Sequence, residues 1–190
     1  MFKVQMKDVT IHRFCQPLYG LTQATPQSFI LDPACTDAIV PGTVMCLGKP
    51  SELGATSSDN IPESQYSGAM PYVTVCKGKD QEPLGLSELW GDPTICDEIR
   101  SNGTNTISVW VGSNDAQFRL IREESGRGAF AATAEQLATA KTDLTAGKSV
   151  YLIPDTTGKV TFAAVDSPAT KKFLKLVDII SQYEIVVRFA

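Results

Sequence analysis

Ser149-Val150-Tyr151-Leu152-Ile153-Pro154-Asp155-Thr156-Thr157-Gly158-Lys159-Val160-Thr161-Phe162-Ala163 is the stretch that decides the fold class. Its two outer segments, 149–153 and 159–163, are rich in β-branched and aromatic residues, which suit a pleated, half-buried surface. The segment between them is turn chemistry. Proline presets φ, aspartate bonds its own backbone, and glycine tolerates positive φ. The whole therefore reads as strand, turn, strand. Downstream, Phe173 to Ile180 and Tyr183 to Phe189 repeat the pattern around Ser181-Gln182, predicting a second hairpin.

Working outward from these hairpins, the upstream sequence keeps a two-residue period. Ile107, Val109 and Val111 share one face of a strand over 106–111. Phe118 and Leu120 share a face of the next, over 117–122, and Gly112-Ser113-Asn114-Asp115 between them predicts a further hairpin. Strands are also predicted over 2–11, 28–31, 43–47 and 71–76, with a turn at Ile39-Val40-Pro41-Gly42. Helical signals are fewer. Asp92 and Pro93 open a short helix over 92–100, with Gly103 at its exit. Thr133 and Gln136 form a capping-box pattern for one or two turns over 133–140. At least eight strands against two short helices predict an all-β fold with minor α content, a β-barrel or β-sandwich with long loops. We expect one domain over residues 1–190, with an extended arm at 13–26 and a long polar loop at 48–70. That loop is either a contact segment or a surface connection.

Composition excludes several function classes. The chain has 190 residues, 43% hydrophobic and 20% charged, enough to bury a core without a metal or disulfide. Its net charge is −4, from 17 basic and 21 acidic residues. Residues 1–95 hold 6 Lys/Arg against 10 Asp/Glu, and residues 96–190 hold 11 against 11. A nucleic-acid partner needs clustered cations, and the nearest cluster, Lys171, Lys172 and Lys175, reads instead as a solvated strand edge. No apolar run approaches the length of a membrane span, and Met1 to Lys7 alternates instead of forming a signal-peptide block. The five cysteines, Cys15, Cys35, Cys46, Cys76 and Cys96, are odd in number and irregularly spaced. Buried free thiols made in a reducing cytoplasm are the reading.

Reactive constellations are missing from the sequence. His12 is the sole histidine, next to Arg13 and away from any nucleophile motif. One His and scattered Cys do not make a zinc site. Asp92, Asp97 and Glu98 are the best candidate carboxylates for an enzyme or ligand-binding barrel, but helix-start acids serve capping and the dipole equally well. Adjacent Glu123 and Glu124 face opposite sides of a strand. We expect no catalytic residue, no cofactor and no metal. Three residues are candidate interface groups: Tyr66 in the long loop, Trp110 on the face opposite Ile107 and Val109, and Arg127 between two glycines. A strand buried on both faces explains Trp110 equally well.

Two stretches carry a family resemblance. Leu144 to Thr161, with Ala146-Gly147 before the strand and Thr157-Gly158-Lys159-Val160-Thr161 closing the hairpin, resembles the decoration (cement) proteins of tailed-phage heads. Ile39 to Leu47 is similar to their entry strand, and Tyr183 to Phe189 fits their closing strand. The resemblance implies a structural virion protein that binds the outside of an icosahedral capsid, as a homotrimer, bridging subunits of the major capsid protein. It implies assembly in the host cytoplasm and contact with neither nucleic acid nor membrane. A tail, baseplate or receptor-binding β-module is the alternative, distinguished by exposed aromatics.

Overall fold

The computed structural model of the chain describes residues 14–19, 24–32, 35–37, 39–47, 72–78, 81–88, 106–112, 116–163 and 173–190. The strand expected at 2–11, the loop at 48–70 and the helix at 92–100 lie outside the described residues. Six strands come first: β1 (Cys15–Tyr19), β2 (Ala24–Leu31), β3 (Val44–Leu47), β4 (Tyr72–Val75), β5 (Pro83–Ser87) and β6 (Thr106–Gly112). β7 (Gln117–Ile121) is followed by a helix, α1 (Ala134–Thr145), and then by β8 (Tyr151–Pro154), β9 (Val160–Phe162), β10 (Leu174–Ser181) and β11 (Glu184–Phe189). The protein is all-β with a minor helix.

These strands build two bodies. β2-β4-β3-β5-β6 closes into a barrel, and β1-β7-β11-β10-β8-β9 forms an antiparallel six-stranded sheet. Both C-terminal hairpins are as the sequence predicts. β8 pairs with β9, Leu152 opposite Phe162, and β10 pairs with β11 across 174–189. The hairpin predicted over 106–122 is not formed. β6 pairs with β2 and β5 inside the barrel, whereas β7 pairs with β1 and β11 in the sheet. The physical reason is that β6 has apolar side chains on both faces. Ile107 and Val109 fill the barrel, and Trp110 turns outward onto Phe118. Closing the barrel against β2, seven residue pairs from Ala24↔Gly112 to Ile30↔Thr106, wins over a local turn.

The core follows the two-residue period. Phe29, Leu31, Met45, Val73, Val75, Ile107 and Val109 meet inside the barrel. Val44, Cys46, Leu86 and Trp110 point out of the barrel wall and join Phe118, Leu120, Leu152, Leu174, Ile185 and Val187 of the sheet in a second, larger core. Along β3 the alternation is visible residue by residue, Val44 outward, Met45 inward, Cys46 outward, and all three are buried. α1 packs on β10 through Leu137 and Ala140. Thr133 and Gln136 do form the capping box, with Gln136 N donating to Thr133 Oγ1 at 3.1 Å. The helix runs further than the one or two turns expected, because Leu144 continues the apolar stripe onto the same core.

The β8–β9 turn locks the two bodies together. Asp155 Oδ1 accepts from the backbone N–H groups of Thr157 (2.7 Å) and Lys159 (3.0 Å). The turn's carbonyls then accept from the barrel: Val44 N–H donates to Gly158 at 2.8 Å and Gly78 N–H to Asp155 at 2.9 Å. Gly158 sits at φ +83°, and an added Cβ would stand 2.4 Å from Val75 Cγ1.

Candidate functional site

No group of three His, Cys, Asp or Glu side chains converges among the described residues. His12, Asp92, Asp97 and Glu98 lie outside them. Four cysteines are described, Cys15, Cys35, Cys46 and Cys76, and all are buried. Burial, reinforced by the negative charge of Glu88, pushes the Cys15 thiol far above its ordinary value. It therefore stays protonated and acts as a packing group, with its Cβ 3.1 Å from where a Cβ on Gly42 would lie.

The three candidate interface residues fall in three different places. Tyr66 lies outside the described residues. Trp110 is 6% exposed, with its ring centroid 5.9 Å from that of Phe118. Of the two readings of this residue, the structure has the strand buried on both faces, and Trp110 packs between barrel and sheet. Arg127 lines a solvent-facing pocket. Of the three lysines read as a strand edge, Lys171 and Lys172 lie outside the described residues. Lys175 is in the sheet interior, opposite Arg188 on one side and Tyr151 on the other.

Arg127 is positioned by a tight reversal after β7. Glu123 N–H donates to the Arg127 carbonyl at 2.7 Å, and Gly126 N–H donates to the Glu123 carbonyl at 3.0 Å. Gly126 at φ +83° and Gly128 at φ +140° make the reversal possible. At Gly128 a Cβ would come within 2.5 Å of the Arg122 backbone, so the loop is held flush against its own strand. The Arg127 guanidinium carbon lies 5.6 Å from the Phe14 ring centroid, a cation–π contact.

This loop forms one wall of a pocket of about 470 Å³. The β8–β9 turn, with Thr156, Thr157 and Lys159, forms another, and Asp37 with Thr43 comes from the barrel side. Lys159 Nζ donates to the Gly126 carbonyl at 2.7 Å, tying the two loops together across 33 residues of sequence. Asp37 is paired with Lys77, Nζ to Oδ1 at 2.8 Å, so its charge is offset. The pocket thus presents two cations and several hydroxyls, a docking chemistry. The sequence singles out Arg127 but not Lys159, which lines the same pocket, since no local signal links a hairpin-turn lysine to a distant glycine carbonyl. A second surface feature is the outer half of β10, where Ile180 is 49% and Val177 39% exposed.

A protein-family model described as phage cement protein matches residues 66–190, about two-thirds of the chain. No curated protein and no solved structure matches it.

Proposed function

This chain belongs to the phage cement protein family, and from that premise we propose that it binds the outer surface of an icosahedral capsid and bridges neighbouring subunits of the major capsid protein. Its role is a structural one, on the phage capsid. The finer reading has copies assembling in the host cytoplasm as homotrimers over threefold positions. Each copy makes modest contacts, and together they resist outward pressure, because simultaneous engagement raises avidity well beyond one contact. An interface of about 1,000 Å² or more per contact suffices.

The single observation that carries this reading is the family match over 66–190, which spans β4 to β11 and therefore the whole six-stranded sheet apart from β1. The rigid joint between the two bodies agrees with it. A staple must transmit load, and a barrel fastened to a sheet by backbone hydrogen bonds and a shared core can do so. Tyr66 and Arg127 are the residues proposed at the capsid contact.

The test is reconstitution. Purified protein added to capsids that lack it is expected to bind saturably, in threes, and to raise the temperature at which the shells rupture. Absence of binding, with no gain in heat resistance, overturns the proposal. Binding to tails or baseplates in particle images would move the protein to the appendage class instead.

A further inference from the structure

The Arg127 pocket has a chemistry that narrows what its partner must present. The guanidinium Nε is buried and meets no hydrogen-bond acceptor among the described residues, while the side chain as a whole is half-buried in the pocket wall. Lys159 spends one of its three N–H donors on the Gly126 carbonyl and keeps two. The rim residues Ser125, Gly126, Thr156 and Thr157 are exposed, whereas the pocket base at Val40, Thr43 and Gly128 is buried. Neither cation is neutralised by a carboxylate in an ion pair among the described residues. The one carboxylate in the wall, Asp37, is held by Lys77. A pair of cations on two loops that are themselves fixed by backbone hydrogen bonds is preorganised for an anion, and arginine favours a planar one.

We infer that this pocket receives an acidic side chain, an Asp or Glu carboxylate, from a surface loop of the capsid protein, with Arg127 and Lys159 as its contacts. The inference rests on the capsid-binding reading and adds the chemistry of the partner. The pocket volume of about 470 Å³ accommodates a side chain together with its flanking backbone, so the contact is a plug in a socket.

The experiment measures the affinity of the full chain for capsids that lack it, at low and at raised salt. Arg127→Gln and Lys159→Gln are each expected to weaken binding about 10- to 100-fold, the loss of a charge-assisted hydrogen bond. Raised salt should weaken the wild type more than either variant. Lys148→Gln is the control, a cation 69% exposed beyond α1 and paired with Asp143, and it should leave affinity unchanged. Circular dichroism and melting curves establish that each variant is folded, and if Arg127→Gln is not, Lys159→Gln carries the test. Wild-type affinity in the folded variants overturns the pocket inference while leaving capsid binding intact. Wild-type protein that does not bind capsids overturns both. Variants that lose trimers in light scattering while keeping affinity per trimer would assign the pocket to a second copy of this chain, and also overturn it.

Discussion

The barrel and the six-stranded sheet use the same residue types to opposite topological ends. Two of the sheet's five pairings, β8 with β9 and β10 with β11, join strands linked by a short turn, while β1–β7, β7–β11 and β8–β10 bring in strands from further along the chain. The barrel closes through distant pairs, β2 with β6 antiparallel and β2 with β4 parallel. Local pairing is entropically cheap and reads directly from turn residues, while non-local closure must be rewarded by burial on both faces of the wall. The barrel wall obtains that reward because its outer face is also the floor of the sheet's core. We propose that the two bodies are one folding unit, despite their different construction.

That conclusion can be broken by cutting into each core in turn. Phe118, fully buried under Trp110 and edge-on to Phe189, stands at the joint. Phe118→Ala is expected to cost about 3–5 kcal/mol and to lower a single urea transition. Met45, fully buried inside the barrel alone, is expected to cost about 2–5 kcal/mol as Ala and again to give one transition. Two separated transitions in Met45→Ala would show that the barrel melts by itself.

A smaller effect sharpens the comparison at the clasp. Gly158→Ala pays for a positive φ and for displacing Val75, about 2–4 kcal/mol together. Gly147, at φ +75° with open space around its Cβ position, isolates the conformational part, so Gly147→Ala should cost only about 1 kcal/mol. Equal costs in thermal denaturation would mean that the β8–β9 turn is not pressed against the barrel. The smallest expected effect lies outside both cores. Thr133→Ala removes the N-cap of α1 and should cost about 1 kcal/mol, seen as a modest fall in melting temperature with the sheet intact.

The readable and unreadable parts of the fold divide along the same line. The β8–β9 hairpin and the turn at Val40–Thr43 are carried by proline and glycine at fixed offsets, with Asp155 added in the first, while the β10–β11 hairpin is legible from the two strand segments that flank Ser181-Gln182. Two strands escaped the pattern. Pro17 sits in β1, which is a sheet edge and so tolerates a missing donor. Pro83 and Gly85 disguise β5, yet Gly85 is required there because a Cβ would stand 2.1 Å from the Trp110 carbonyl. Of the site, Arg127 was legible from its flanking glycines. Its partnership with Lys159 was not, since only the docking of two loops brings them to one pocket.

Sequence alone settled that this chain is β-rich, because a two-residue apolar period with turn chemistry between segments leaves each strand one face to bury. It also settled the two C-terminal hairpins, whose register depends on residues a few positions apart. Which strands close the barrel, which face of β6 carries Trp110 inward to the sheet, and which loops meet around Arg127 were decided by the tertiary structure. Those outcomes depend on burying both sides of a strand at once, a free energy that no single segment contains.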